Sequence, residues 1–180
     1  EHRREVDAAG RESGWRTVQH RDRAGVRARL VVVRRADRQV VFAVTVEVDA
    51  APGLPGWTMV GLPSGSVKEA RERVGAALVN AGFTLPPRRW TVNLSPADVR
   101  KEGTAFDLPV AIGVLVASGQ LEAAAVEGLL FAGELGLDGT VRPIRGALPL
   151  ARAARDGLAR ALVLPSANAP EASLLRDVRL

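Results

Sequence analysis

The chain has 180 residues, 47% of them hydrophobic, with a formal net charge of +5 and no cysteine. That size and apolar content suit one domain with a core of its own. The missing thiols exclude disulfides, thiol catalysis and cysteine-held metals. Both histidines, His2 and His20, stand in a polar leader, which removes histidine chemistry from the core. Residues 1–38 hold 11 Arg against 6 acidic residues, and residues 39–180 hold 14 cations against 14 acids, so the whole net charge belongs to the leader. A basic leader either grips nucleic acid or is a solvated tail. Residues 1–26 show neither helical nor strand periodicity and are expected to be disordered. No apolar run reaches the ~18–20 residues of a membrane span. The charged start has no apolar stretch behind it, so no signal peptide is expected and the cytoplasm is the expected compartment. The chain opens on Glu1 and not on Met, as a fragment, a processed chain or a mis-assigned reading frame would.

After a short apolar run at Leu30–Val33, the segment RQVVFAVTVEVDA (38–50) reads as a strand. Val44, Val46 and Val48 alternate with Thr45, Glu47 and Asp49, which gives it one wet face. APGLPG (51–56) cannot continue a ladder, and WTMVGL (57–62) is a second strand. In PSGSVKEARERVGAALVNAGF, Ser66 and Glu69 have capping-box spacing. Val67, Ala70, Val74, Ala77, Leu78 and Ala81 form an apolar stripe, Lys68–Glu72 and Glu69–Arg73 pair on the wet side, and Gly82 ends the helix. A strand at 90–95 follows, and then a polar loop. Asp107 is expected to cap a second helix, apolar nearly all round and therefore buried, that runs to about Ser118. Asp138-Gly139 predicts a two-residue hairpin turn. A third helix is expected over about 147–156, ending at Gly157, and ARALVLP (159–165) ends in a strand. The order β-β-α-β-α-β-β-α-β predicts a mixed α/β domain.

GLPSGSVK invites comparison with a phosphate loop, since helix N-termini attract anions. The required G-x-x-x-x-G-K-[ST] is absent, because Lys68 falls three residues after Gly65. Capping and turn-making are the expected uses of Gly65 and Ser66.

Three long runs, VEVDAAPGLPGWTMVGLPSGSVKEARERV, FTLPPRRWTVNLSPADVRKEGTAFDLPVAIGVLVASGQL and FAGELGLDGTVRPIRGALPLARAARDG, resemble the N-terminal domain of the YifB/ComM family, over about residues 40–165. These are bacterial AAA+ proteins that carry a Mg-chelatase-like label. The resemblance implies an α/β (α+β) fold similar to the proteolytic domain of Lon, a mixed sheet with three helices in a single domain. It also implies a following ATP-driven hexameric motor, with ATP and Mg as cofactors of the full-length protein and DNA as partner, in branch migration during natural transformation. The expected division is a basic leader at 1–29, a Lon-like domain at 30–167 and, at 168–180, the start of a linker toward an AAA+ module. Residues 1–30 do not resemble the family's usual start, and the chain carries no Walker residue.

Lon-type peptidases use a serine in a Gly-Pro-Ser-Ala-Gly run and a lysine at the start of the helix after the hairpin. At the corresponding places this chain has Ala105 and Leu148. No catalytic, cofactor-binding or metal-binding residue is therefore expected. Thr104 would need a base, and Lys101, read as exposed and protonated, is the nearest amine. Arg88 and Arg89 before Trp90, with Arg100 and Lys101 at the far end of the same strand–loop unit, are the expected nucleic-acid contacts or else solubilising charge. Trp90 is expected in the core. Arg142 and Arg145 face either Glu134 or a neighbouring subunit. The functional expectation is a non-catalytic accessory domain of a DNA-processing AAA+ protein. The alternatives are a Lon-type serine peptidase or a Mg-chelatase-related function.

Overall fold

The computed structural model describes residues 26–36 and 38–180, with side chains from Ala43 onward. The disorder expected for residues 1–25 lies outside the described residues. A four-stranded sheet has the order β1-β2-β4-β3. It is built from β1 (Val26–Ala36), β2 (Arg38–Ala51), β3 (Gly56–Val60) and β4 (Arg89–Ser95). β1 begins inside the segment assigned to the leader. β1/β2 and β2/β4 are antiparallel, whereas β3/β4 is parallel. A parallel pair needs a long crossover, and α1 (Gly65–Lys68) and α2 (Ala70–Asn80) supply it. Two smaller sheets follow. β5 (Leu129–Phe131) runs parallel to β8 (Ala161–Val163), and β6 (Glu134–Leu135) pairs antiparallel with β7 (Val141–Arg142). The remaining helices are α3 (Asp107–Ala117), α4 (Ala123–Val126), α5 (Ala147–Ala153) and α6 (Ala169–Ala172). The result is the expected mixed α/β domain, with the short α4 and α6 added.

Strand alternation puts Val44, Val46 and Val48 on the buried face of β2, and register sets Val46 beside Leu94 and Val48 beside Val92. Trp90, as expected, is in the core, 1% exposed, and stacks on its strand partner Trp57 at 5.8 Å between ring centroids. α3 lies on this face, and eight of its eleven residues are buried, as its apolar circumference requires. Its approach depends on Gly113: a Cβ there would stand 2.4 Å from Val48 Cγ2. At the end of α2, Gly82 (φ +86°) closes the helix, with the Phe83 N–H donating to Leu78 O at 2.9 Å. Ala81, expected on the apolar stripe, is exposed beyond the last helical turn.

Two local expectations are corrected. The hairpin loop has three residues, because Gly136 N–H donates to Thr140 O at 2.8 Å. Gly139 takes the left-handed position (φ +86°) that such loops favour. α5, by contrast, continues from Ala153 through a wider last turn and ends at Gly157 (φ +96°), where the sequence placed its end. Residues 168–180, expected to begin a linker, are packed on the domain: Ala172 is fully buried, Leu175 and Val178 join the core, and Arg179 O accepts the Leu162 N–H at 2.9 Å.

Gly113→Ala should destabilise the domain by about 1–3 kcal/mol, because α3 or Val48 must shift to admit the methyl group. Urea titration checks this. An unchanged midpoint would show that α3 does not need its close approach to β2.

Candidate functional site at the crossing of two loops

The loop after β3 and the loop after β4 cross and are stitched together. Gly61 (φ +91°) starts the crossing, where a Cβ would stand 2.0 Å from Leu94 O, so no other residue fits there. Lys101 N–H donates to Leu62 O at 3.1 Å, and Ser64 N–H donates to Lys101 O at 2.9 Å. The Ser64 and Ser66 hydroxyls lie 2.9 Å apart, and Ser66 Oγ accepts the Gly103 N–H at 3.3 Å. Ser66 therefore serves the facing loop and does not form the expected capping box with Glu69. Lys68 and Glu69 donate their N–H groups to Ser64 O and Gly65 O, at 2.9 and 3.0 Å. These are the ordinary bonds of the first helical turn.

Below the crossing lies a buried ion pair. Arg73 Nε donates to Asp107 Oδ2 at 2.6 Å and Nη2 to Oδ1 at 2.9 Å, the planar two-pronged geometry of a guanidinium on a carboxylate. Nη2 also donates to Ser66 O at 2.9 Å, and the Leu135 N–H donates to Asp107 Oδ2 at 3.2 Å. Asp107 is 0% exposed. It is thus not the expected helix cap but the buried partner of α2 and β6. Glu69 reaches Arg73 only at 3.7 Å, and Glu72 pairs with Arg71 at 2.9 Å, so the predicted wet-side pairs are secondary or replaced. Burial pushes the Asp107 carboxyl up from its ordinary value, while Arg73 and the Leu135 amide oppose that rise and Glu134 adds to it. The hydrogen bond to Asp107 raises the Arg73 guanidinium in turn, against its own burial.

Thr104 stands beside this pair and donates its hydroxyl to Glu134 Oε2 at 2.5 Å. Glu134 faces Arg142 at 3.9 Å across the β6/β7 hairpin, one of the two placements expected for that arginine. Lys101 is not the exposed cation that the sequence suggested. It is 2% exposed, and its ammonium donates to Pro96 O. The bridge to Pro63 and Ser64 turns this part of the loop inward. Burial lowers the Lys101 amine from its ordinary value, with Asp98 acting the other way. Thr104 and Lys101 thus have separate partners.

The four predicted contact cations do not form one patch. Arg88 and Arg89 are exposed at the start of β4. Arg100 is exposed beyond its far end, about 20 Å along the strand, and pairs with Glu102 at 2.9 Å. Lys101 lies inside. Among the described residues, no group of three or more His, Asp or Glu side chains is placed to hold a metal. The Arg73–Asp107 pair was missed because Arg73 reads as half of a surface pair with Glu69. The signal for it was a lone carboxylate at the head of an otherwise apolar helix, which must find a partner when that helix is buried.

The stitched loops, the one-sided sheet and the buried pair define a small α/β domain of a known class. Residues 46–168 match the family described as subunit ChlI of Mg-chelatase, and the chain belongs to that family. Within it the chain stands with the ComM and YifB proteins. It is 50% identical over 134 residues to the competence protein ComM of Haemophilus influenzae, which covers 74% of this chain and 26% of that protein. It is 46% identical over 133 residues to the uncharacterized protein YifB of Salmonella typhimurium, covering 73% and 26%. An uncharacterized protein of Mycobacterium bovis is 45% identical over 153 residues, covering 84% and 30%. The chain thus spans between 26% and 30% of the length of these curated relatives.

Arg73→Ala should cost about 3–5 kcal/mol, because it leaves Asp107 as an uncompensated buried charge. The folded state holds the Asp107 proton more tightly than the unfolded chain does. As pH rises, the unfolded chain ionises first and stability falls through a window just above the ordinary carboxylate range. Without Arg73 that window should extend upward and the fall should steepen. Urea denaturation of parent and variant from about pH 4 to about pH 8 checks this. Parallel pH profiles would refute the pairing.

Proposed function

We propose that this domain is a non-catalytic accessory module, N-terminal to the motor, of a ComM/YifB-type AAA+ protein that processes DNA in the cytoplasm. There it contacts DNA or sets the geometry of a hexameric ring. One observation carries the reading: in a domain half identical to a competence protein, the places of a Lon-type serine and lysine are taken by Ala105 and Leu148. Neither side chain can attack a carbonyl or hold a proton. ATP and magnesium are then the cofactors of the motor module, and natural transformation is the process the competence relative suggests. No helix among the described residues is long and apolar enough to cross a membrane.

Exposed Arg88, Arg89 and Arg100 are the cations positioned for phosphate binding, and the burial of Lys101 removes it from that set. Arg100 must exchange its Glu102 partner for a phosphate. Peptide hydrolysis is the second reading, and the short Thr104–Glu134 hydrogen bond favours it, since a carboxylate on a hydroxyl is a general-base arrangement. Glu134 also faces Arg142, which favours a structural pair. A Mg-chelatase-related role rests on the family description alone.

The purified chain should retard duplex or branched DNA at low salt and release it steeply as salt rises. Arg88→Ala with Arg89→Ala should lower the salt slope by about two, one for each phosphate left without its arginine. A version lacking residues 1–26 separates binding by the leader from binding by the domain. No retardation by the parent, or equal slopes, would remove DNA binding at these arginines. In the same preparation a serine-reactive fluorophosphonate should leave the chain unlabelled. Labelling that disappears in Thr104→Ala would replace the accessory reading with a hydrolase.

A further inference from the structure

We infer that the segment Ser166–Arg179 is a latch: it closes over the start of α5, and its release frees the loop that carries Arg145. The inference does not depend on the DNA reading. α5 begins at Ala147 after Gly146, which sits in the left-handed region (φ +89°) and has no side chain with which to cap the helix. The missing cap comes from across the chain. Glu171 Oε1 accepts the Leu148 N–H at 3.1 Å, satisfying one of the amides that a helix start leaves open. Asn168, 5% exposed, clasps the residue two before Gly146: its Oδ1 accepts the Ile144 N–H at 2.9 Å and its Nδ2 donates to Ile144 O at 2.8 Å. At the far end of the segment, Arg179 O accepts the Leu162 N–H on β8 at 2.9 Å.

The dependence runs both ways. The segment's own regular structure is a three-residue 3-10 turn and a four-residue helix, both too short to persist alone. Its Asn168–Ala172 stretch holds its shape against α5, while Ile144 and the α5 start find side-chain partners in Asn168 and Glu171. Two elements that complete each other in this way open and close together. Within Ser166–Arg179 only Asn168 and Ala172 are buried, against eight of the eleven residues of α3, so the segment is the more lightly attached. Arg145 sits between the two clamped residues and is exposed, so the latch sets where that cation points.

Amide hydrogen exchange on the whole chain tests this. In Asn168→Ala with Glu171→Ala, exchange at residues 144–148 should rise about tenfold, the scale of a missing cap, while residues 110–116 of α3 keep the parent rate. Glu171→Gln, which keeps an acceptor oxygen, should stay near the parent. In the unaltered chain, low urea should open 144–148 and 166–179 together before α3. Three results would overturn the latch: no acceleration at 144–148, equal acceleration in α3, or opening of both segments only together with α3.

Discussion

A carboxylate with no access to water is the constraint around which the rest of this domain is arranged. Asp107 heads a helix that the sheet and its neighbours enclose, and a buried charge must be met by an opposite charge and by hydrogen-bond donors. Arg73 comes from α2 and the Leu135 amide from β6, so one side chain ties together three elements far apart in the chain. Arg73 holds Ser66 O with the same guanidinium, which extends the tie to the loop crossing. The positions of α2, α3 and the β6/β7 hairpin are therefore not independent. Moving any one of them exposes or orphans the carboxylate.

The same arrangement fixes the polar groups around it. Thr104 stands close to where a nucleophile is expected, but its hydroxyl is committed to Glu134, which in turn faces Arg142. Lys101 has turned inward to a carbonyl and away from the hydroxyl. The polar groups serve to hold loops in register. The three exposed cations of the expected contact set, Arg88, Arg89 and Arg100, stand at opposite ends of β4. A nucleic acid touching both ends would have to follow the strand and would meet Asp49 and Glu47, which alternate outward on the neighbouring β2.

Much of the fold was legible before the structure. The alternation in 44–48 and 90–94 gave strands with the right buried faces, and Trp90 could be placed in the core because it begins such an alternation. The all-round apolar character of 107–117 announced a buried helix. Gly82 and Gly157 marked helix ends because each sits where only a residue tolerant of positive φ is comfortable. The capping roles of Ser66 and Asp107 were misread for one reason: local spacing shows what a side chain could bond nearby, not what a distant segment offers instead. The final 15 residues show only weak patterning because their helices, Ser166–Asn168 and Ala169–Ala172, are about a turn or less, too short for a period to appear.

Residue identity and short-range spacing were enough for most of the elements, their buried faces and the family. Each of these depends on neighbours a few residues apart or on a single residue type. The partner of each polar group was settled by the fold alone: Arg73 with Asp107, Ser66 with Gly103, Thr104 with Glu134, Lys101 with Pro96, and Asn168 with Ile144. Most of these pairs join residues more than twenty positions apart. A carboxylate or hydroxyl takes whichever donor or acceptor the fold brings within about 3 Å, and no periodicity in the chain encodes that meeting.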